Sequence, residues 1–277
     1  MLHHQTMEKL AALRLEGMAQ ALEEQRRQAD ISQLDFEERF ALLVERQWLW
    51  RENRALAARL QHAQLKVSAS LEDIDYRHPR GLKRAQMDQL RASQWVAQHH
   101  NCLITGPTGS GKTYLACALA HQACRDGHGV RYYYAPKLFR ELQNAQADGS
   151  LLKLLKKLAR AALVVIDDFG VAAVTGKQYR DLLEILDDRQ GLGATLITSQ
   201  FPVDQWHGVI NDATVADAIL DRLVHNAYRL DLKGESIPKP GRTSSLALSL
   251  LRIKARYVPW GLSRRPGHPQ MGPRRTT

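Results

Sequence analysis

Apolar positions along the first 68 residues recur at helical spacing. MEKLAALRLEGMAQALEEQRRQ has four of them near one face and charged residues opposite, namely Leu10, Leu13, Met18 and Leu22. LDFEERFALLVERQWLWRENRALAARLQHAQL continues the pattern with Phe36, Phe40, Leu43, Trp48, Leu56 and Leu60. We therefore predict a small helical domain over residues 1–68 with a packed apolar seam. A row of arginines leaves open a partner- or DNA-binding arm: Arg46, Arg51, Arg54 and Arg59.

The pattern changes after residue 68. Pro79 and Gly81 interrupt the helical spacing, so residues 69–100 are expected to be a linker and the first part of the next module. Five short apolar runs then alternate with helical segments, at residues 101–105, 129–135, 163–167, 194–199 and 227–232. This alternation predicts an α/β domain over residues 101–236, with a five-stranded parallel sheet covered by helices on both faces.

Composition and charge narrow the class of protein. Of the 277 residues, 44% are hydrophobic and 25% are charged, which is typical of a globular protein. No apolar run approaches about 18 residues and the start lacks a secretory signal, so we expect a cytoplasmic protein without a membrane partner. The three cysteines have no CxxC spacing and are expected to be buried thiols, namely Cys102, Cys117 and Cys124.

The net charge of +10 is concentrated at the carboxyl end of the chain. From Lys233 onward there are ten lysines and arginines against one acid, Glu235. Six of the ten prolines lie between Pro238 and Pro273. We predict a basic, proline-rich and disordered tail over residues 237–277. The high pI is a property of this tail and says little about the folded body.

The sequence GPTGSGKT, residues 106–113, has the spacing GxxxxGK[ST] between a predicted strand and a predicted helix. Glycines at such positions let backbone N–H groups surround a phosphate. The lysine reaches the β- and γ-phosphates, and the last hydroxyl is a Mg²⁺ ligand. The pattern predicts that ATP is bound by Gly106, Pro107, Thr108, Gly109, Ser110, Gly111, Lys112 and Thr113.

Two adjacent aspartates end the apolar run LVVID. A P-loop protein needs a carboxylate at the end of a neighbouring strand to hold Mg²⁺, and Asp167 suits that position together with Thr113. Asp168 follows where a carboxylate can polarise an attacking water. An aspartate just past a strand can also cap a turn, so both interpretations of Asp168 stay open.

Further polar positions follow the fourth strand and the last helix. Thr198, Ser199 and Gln200 end the fourth strand, and their side chains either orient a water molecule or cap the strand. Arg222 is either an arginine finger for a neighbouring subunit or an intramolecular ion-pair partner. The acids in range for such a pair are Asp187, Asp188, Asp217 and Asp221.

One predicted helix, SLLKLLKKLARA, has leucines on one face and bases on the other. The bases form a stripe, Lys153, Lys156, Lys157 and Arg160. A solvated amphipathic face and a DNA-facing helix are both compatible with this pattern.

Taken together, these segments resemble the IstB-like ATPases, transposition helpers of bacterial insertion sequences that are similar to the DnaC helicase loader and the DnaA initiator of the AAA+ superfamily. The resemblance covers residues 6–236. It rests on LRLEGMAQALEEQ, FEERFALLVERQWLWREN, SLEDIDYRHPRGL, LITGPTGSGKTYLACALAHQAC, LVVIDDFG, DLLEILDDR, TLITSQFPVDQWH and ADAILDRLVHNAYRLDLKGES.

The resemblance implies an AAA+ P-loop NTPase preceded by a small helical domain for assembly and DNA contact. It assigns the phosphate role to Lys112, Mg²⁺ contacts to Thr113 and Asp167, and the catalytic carboxylate to Asp168. The sensor 1 position falls on Gln200 or Ser199, and Arg222 is the arginine finger in trans. Pro238 stands where the family is expected to carry its sensor 2 arginine, so a change of reading frame near residue 237 is our hypothesis for the tail.

The function expected from the resemblance is that of an ATP-dependent transposition helper. It would oligomerise on double-stranded target DNA with ATP between subunits and present that DNA to its cognate transposase, associated with the nucleoid in the cytoplasm. Two alternatives remain at this point: a DnaC-like helicase loader, and a weakly hydrolysing nucleotide switch that acts as a DNA scaffold.

Overall fold

A computed structural model describes residues 2–172, 174–210 and 212–234, which belong to one compact unit. The tail predicted over residues 237–277 lies outside the described residues. Within the described ranges, five parallel strands form one sheet in the order β2-β3-β4-β1-β5. They are β1 (Asn101–Thr105), β2 (Val130–Tyr134), β3 (Leu163–Phe169), β4 (Ala194–Ser199) and β5 (Ala227–Asp231). The predicted five-stranded parallel sheet is confirmed.

Eleven α-helices accompany the sheet in the described part of the chain. Three precede the P-loop module, α1 (Leu2–Ala12), α2 (Glu16–Arg27) and α3 (Phe36–Ala63). Two short helices lead into β1, α4 (Arg84–Arg91) and α5 (Gln94–Ala97). The others are α6 (Lys112–Arg125), α7 (Ala135–Ala147), α8 (Leu151–Ala159), α9 (Gly176–Arg189), α10 (Trp206–Ile210) and α11 (Ala213–Val224).

Alternate residues of the central strands feed two hydrophobic clusters, one on each face of the sheet. Cys102 and Ile104 of β1 pack with α6, whereas Leu103 between them packs with α7, α9 and α11. This alternation follows from the period of two residues in a strand. Both faces are covered, as the near-continuous apolar runs of the strands predict.

Strand β4 lies between β1 and β3, so β3 is not hydrogen-bonded to the strand that precedes the P-loop. The expectation that Asp167 ends a strand adjoining β1 was therefore wrong. Strand β3 also runs beyond Asp167 to Phe169, with a shift of register against β4 between Ile166 and Phe169. Asp168 sits in this irregularity with φ of 60°, a left-handed conformation that aspartate tolerates better than most residues.

The N-terminal helices pack by a different face from the one predicted. Phe36, Phe40 and Trp48 are exposed, so the expected seam was wrong at these positions. The reason is Gly17 of α2, where an added Cβ would lie 2.6 Å from Trp50 Cβ of α3. This close approach brings the Gln47 side chain within 3.0 Å of the Met18 amide, and Gln47 is buried instead.

The second half of α3 packs on the P-loop module. Leu56 and Leu60 lie against the cluster around α6, and Ala63 is fully buried there, as the apolar pattern predicts for the two leucines. The Arg59 side chain donates to the carbonyl of Cys124 at 2.7 Å, near the end of α6. Helix α3 therefore connects the N-terminal helices to the nucleotide-binding module without a flexible joint inside it.

The three cysteines are buried free thiols, as predicted. Among the described residues there is no helix long and apolar enough to cross a membrane.

Candidate nucleotide-binding site

The P-loop of residues 106–111 connects β1 to α6 at the carboxyl edge of the sheet. Gly106 has no room for a side chain, because an added Cβ would lie 2.5 Å from the carbonyl oxygen of Leu232. Gly109 and Gly111 have φ of 82° and 91°, values that L-residues rarely adopt. These glycines let the loop turn tightly into the N-terminus of α6, where free backbone N–H groups favour an anion.

Lys112 is the first residue of α6, and its side chain folds back over the loop. Its Nζ donates to the carbonyl oxygens of Gly106 at 2.7 Å and Pro107 at 2.9 Å. Burial lowers the pKa of Lys112, and the nearby carboxylates of Asp168 and Asp167 oppose this effect. The cation is thus held at the mouth of the loop, where phosphate oxygens would be bound.

Asp167 is fully buried and accepts hydrogen bonds from three hydroxyl groups. Thr113 Oγ1 lies 3.0 Å from both carboxylate oxygens, Thr198 Oγ1 lies 2.6 Å from Oδ1, and the Tyr132 hydroxyl lies 2.5 Å from Oδ2. Burial raises the pKa of Tyr132, and the hydrogen bond to Asp167 raises it further. Thr113 and Asp167 are therefore in direct contact, although β4 lies between β3 and β1, the strand that precedes the loop.

Asp168 differs from its neighbour in exposure and in contacts. Its side chain is 23% exposed, whereas that of Asp167 is buried completely. The Asp168 amide donates to Thr198 Oγ1 at 2.9 Å, which fixes the backbone in its left-handed conformation. The side chain lines an open cavity of about 500 Å³, whose other walls include Lys66 and the three tyrosines of β2.

Lys66 is the unexpected residue of the site. Its Nζ lies 3.3 Å from Asp167 Oδ2 and 3.6 Å from Asp168 Oδ2, so one ammonium group bridges both carboxylates. Burial acts to lower the pKa of Lys66, but Asp167 and Asp168 outweigh it and the pKa is raised. Lys66 comes from the segment that follows α3, and no motif in the sequence marks it.

Of the polar residues that end β4, it is Thr198 that contacts the aspartates. Ser199 Oγ donates to the carbonyl of Phe169 at 2.8 Å and accepts from the Phe201 amide at 3.1 Å, as a strand-end cap does. Gln200 is exposed. The role of Ser199 or Gln200 as sensor stays a prediction.

Arg222 lies away from the P-loop within this protomer. Its guanidinium forms an ion pair with Asp187, one of the partners considered, and also donates to the Ala218 carbonyl at 2.9 Å. The Arg222 carbonyl accepts from the Asn101 side chain at 2.8 Å. Asn101 begins β1 and Gly106 follows the end of that strand, so the Arg222 backbone is about 16 Å, one strand length, from the loop.

The basic stripe of α8 is exposed, and three of its five leucines are buried, namely Leu154, Leu155 and Leu158, whereas Leu152 is exposed. Lys157 Nζ lies 5.8 Å from the ring centroid of Tyr133, at the rim of the same cavity. The amphipathic pattern is thus present, and DNA contact by Lys153, Lys156, Lys157 and Arg160 stays a prediction.

The segment before β1 also reaches the loop. Arg80 is 3% exposed, and its guanidinium donates to the Ser110 carbonyl at 3.2 Å and to the Asp75 carbonyl at 3.2 Å. Burial lowers the pKa of Arg80, with Asp75 opposing it. This part of the predicted linker is therefore a structural support of the P-loop, which Pro79 and Gly81 alone did not indicate.

The residues present fit ATP and Mg²⁺. The glycine-lined loop offers backbone N–H groups, and Lys112 offers an ammonium group, as partners for phosphate oxygens. At Gly106 the loop backbone lies so close to the Leu232 carbonyl that only glycine fits. The Thr113 hydroxyl and the Asp167 carboxylate are hard oxygen ligands of the kind that Mg²⁺ prefers. Among the described residues no cluster of His, Cys, Asp and Glu forms a separate metal site.

Comparison with known proteins agrees with this geometry. A putative insertion sequence ATP-binding protein of Sinorhizobium fredii is 47% identical over 245 residues, covering 88% of this chain and all of that protein. A putative ATP-binding protein of insertion sequence IS1162 from Pseudomonas fluorescens is 44% identical over 203 residues, covering 73% and 88%. The crystal structure of DnaI matches with a TM-score of 0.50 and 24% identity, covering 59% of this chain and 90% of that one.

The likeness to DnaI concerns the fold, and together with the sheet order it confirms the α/β P-loop fold that the resemblance implied. The model of the family described as IstB-like ATP binding protein matches residues 8–245, past residue 236 where the motif resemblance ended. With most of its length matched and a P-loop of the required geometry, the chain belongs to the IstB-like ATP binding protein family.

Proposed function

We propose that this chain is a helper ATPase of DNA transposition that binds ATP with Mg²⁺ and hydrolyses it to ADP and phosphate. The observation that carries the proposal is the contact between Thr113 and Asp167, whose atoms lie 3.0 Å apart. It joins the end of the P-loop to a buried carboxylate, as a nucleotide–metal site requires. The names of the relatives, insertion sequence ATP-binding proteins, support the connection with transposition.

Phosphate binding falls to residues 106–113. The loop offers backbone N–H groups at the N-terminus of α6, and Lys112 adds a cation that two loop carbonyls now hold. Phosphate oxygens would replace these carbonyls as partners of the ammonium. When bound, Mg²⁺ would be held by Thr113 and Asp167 and would neutralise phosphate charge.

Hydrolysis falls to Asp168. Its partly exposed carboxylate lies at the open side of the site and can accept a proton from the water that attacks the γ-phosphorus. Thr198 fixes both aspartates through one hydroxyl group. Gln200 or Ser199 is proposed to sense the γ-phosphate from the end of β4.

Arg222 is proposed to act on the ATP of a neighbouring subunit. Its distance of about one strand length from its own loop supports action across a subunit boundary. The ion pair with Asp187 would have to open for this role. The proposal therefore includes a homo-oligomer with ATP between subunits.

Target DNA and the cognate transposase are the proposed macromolecular partners, with the protein acting at the bacterial nucleoid. The exposed bases of α8 offer a phosphate-binding face: Lys153, Lys156, Lys157 and Arg160. Contacts of this kind make binding strongly dependent on salt, because counterions are released from the DNA.

The test is steady-state ATP hydrolysis with and without duplex DNA. Lys112→Ala should abolish ATP binding, whereas Asp168→Asn should bind ATP normally and lose turnover by about 10²-fold or more. Turnover by Asp168→Asn equal to that of the unchanged protein would remove Asp168 from the reaction. Mixing Arg222→Ala with Asp168→Asn subunits should restore activity if Arg222 acts in trans.

DNA contact is tested by charge reversal of Lys153 and Lys156 together. The double change to Glu should weaken duplex binding and reduce its salt dependence. Lys177→Glu, an exposed lysine on α9, is the matched control. Equal losses in both variants would mean that α8 makes no specific contact.

A nucleotide switch that hardly hydrolyses is the second candidate. The ion pair of Arg222 with Asp187 favours it, because the arginine is engaged within its own protomer. This candidate predicts tight ATP binding and no turnover with or without DNA. Release of Arg222 by Asp187→Asn should then leave turnover absent, whereas the ATPase proposal predicts turnover in oligomers of this variant.

A further inference from the structure

Lys66 is placed at the metal side of the site by the segment between α3 and the P-loop module. Within the described part of the chain it is the only cation that forms an ion pair with Asp167 or Asp168. Its ammonium also lies 5.1 Å from the ring centroid of Tyr134. Three contacts thus hold a side chain that is otherwise 45% exposed.

The Lys66 ammonium balances the negative charge of two carboxylates that the fold places in a partly buried region. Asp167 is completely buried and Asp168 follows it directly, so two carboxylates lie close together in a region of reduced dielectric. Buried carboxylates of this kind need a cation or several donors. Three hydroxyl groups serve Asp167, and the described contacts of the Asp168 carboxylate include Lys66.

A divalent cation at Thr113 and Asp167 would use the same carboxylate. Asp167 Oδ2 already contacts both the Tyr132 hydroxyl and Lys66 Nζ, at 2.5 Å and 3.3 Å. A second cation there would repel the ammonium, since like charges at a few ångströms interact strongly in a partly buried site. The two cations therefore compete for one binding place.

The residues around Lys66 are exposed enough to change position. Lys66, Val67 and Ser68 are exposed, whereas Ala63 before them and Ala69 after them are buried. Gln64 ends α3 in a left-handed conformation with φ of 52°. Leu65 packs against the core around α6, so only residues 66–68 can move while the core stays intact. Their displacement breaks the backbone hydrogen bonds of Lys66 and Val67 to the Cys117 thiol.

We propose that Lys66 is a positioning residue that competes with the divalent cation for Asp167 and Asp168, so that loading of the metal with nucleotide displaces residues 66–68 and is communicated through Leu65 to the end of α3. This inference rests on the proposed nucleotide function of the site and adds its regulation. It makes the end of the N-terminal helices a sensor of the metal-loaded state.

The first experiment uses the metal alone, so that it does not depend on ATP. Binding of Mn²⁺ to the full-length protein without nucleotide is measured by electron paramagnetic resonance. Lys66→Met removes the charge and keeps the length, and it should tighten Mn²⁺ binding about fivefold or more. Lys66→Arg keeps the charge and should stay within about twofold of the unchanged protein.

Lys137→Met is the matched control, because Lys137 lines the same cavity without an ion pair to either aspartate. An equal gain in Lys137→Met would show a general charge effect and overturn the proposal. Unchanged or weaker Mn²⁺ binding by Lys66→Met would overturn it as well. Thermal melting of each variant checks that it is folded.

The second experiment follows residues 66–68 by hydrogen exchange. In the unchanged protein, ADP with Mg²⁺ should speed exchange of residues 66–68 relative to ADP with EDTA, and in Lys66→Met this difference should vanish. Protection of residues 106–113 with no change at 66–68 would contradict the displacement. If ADP leaves residues 106–113 unprotected, the nucleotide function fails, and the Mn²⁺ measurement still decides the competition.

Discussion

The carboxyl edge of the sheet and the N-terminal helices use their side chains in opposite ways. At the sheet edge, a single carboxylate, Asp167, is reached by three hydroxyl groups and one ammonium. In α3, only Gln47 and Ala63 of 28 residues are buried, and large apolar side chains such as Phe36 and Trp48 are exposed. Many mutual contacts fix the side chains at the sheet edge, whereas few contacts fix those of α3.

This difference teaches where single substitutions should act. A group with several partners cannot be removed without leaving the others unpaired. Substitution of a side chain on an exposed helix face changes the stability of the isolated protomer little.

Gly106→Ala should be the most damaging small change in the chain. The new Cβ would lie 2.5 Å from the Leu232 carbonyl oxygen. Neither backbone can shift freely, because the Gly106 amide donates to the Ser199 carbonyl and the Leu232 amide donates to the Thr105 carbonyl. We expect the free energy of unfolding to fall by about 3 kcal/mol and ATP binding to be lost. Urea unfolding and nucleotide titration measure the two effects.

Gly17→Ala is the corresponding change in the N-terminal helices. Its Cβ would lie 2.6 Å from Trp50 Cβ, so α2 should separate from α3 and the helices should melt at a lower temperature. ATP affinity should stay within about twofold, because Gly17 touches nothing at the sheet edge. A loss of ATP binding as large as that of Gly106→Ala would contradict the proposed contrast.

Thr198→Val tests the dependence of both aspartates on one hydroxyl group. Valine has nearly the same shape, but Asp167 Oδ1 loses its 2.6 Å partner and the Asp168 amide loses its acceptor. We expect a loss of about 2 kcal/mol in unfolding free energy and a clear loss of turnover. Ser199→Ala, which leaves the hydrogen bonds of both aspartates in place, should reduce turnover less.

Tyr132→Phe should change the pH dependence of stability at alkaline pH. The pKa of Tyr132 is raised in the folded protein, chiefly by burial and then by Asp167. The folded state therefore holds its proton where the unfolded state has lost it, so this contribution to stability is present below about pH 10 and declines above it. Without the hydroxyl group, the unfolding free energy should fall less steeply above pH 10.

Trp48→Ser should have the smallest effect on the isolated protomer. The side chain is 61% exposed, so the unfolding free energy should change by less than about 0.5 kcal/mol. Thermal unfolding at low protein concentration measures it. A loss above about 2 kcal/mol would show that this face of α3 is buried in solution.

The sequence predicted the parts of the site that lie in short local patterns. The loop of residues 106–113 and Asp167 were identified from spacing and from their position after a strand, and the contact of Thr113 with Asp167 agrees. The strand bounds also agree closely, except where β3 continues through the irregularity at Asp168. Local alternation of apolar residues carries this information well.

The contributions of Lys66, Tyr132 and Arg80 were missed because they depend on tertiary approach. Lys66 reaches Asp167 over 101 positions of sequence, and no spacing rule covers such a distance. The exposed face of α3 was misjudged for a related reason. The close approach of α2 to α3 at Gly17 determines which side of α3 is covered. A pattern of hydrophobic residues does not reveal a contact that depends on a glycine without a side chain.

The length of α3 determines how far its first residues move when the helix tilts. The part of α3 ahead of Leu56, residues 36–55, is about 30 Å long, so a tilt of only 5° about the docked turns moves its first residue by about 3 Å. This part of α3 can therefore act as a lever arm. A rearrangement of one ammonium group at the carboxylates that tilts the helix would become a displacement of this size at Phe36.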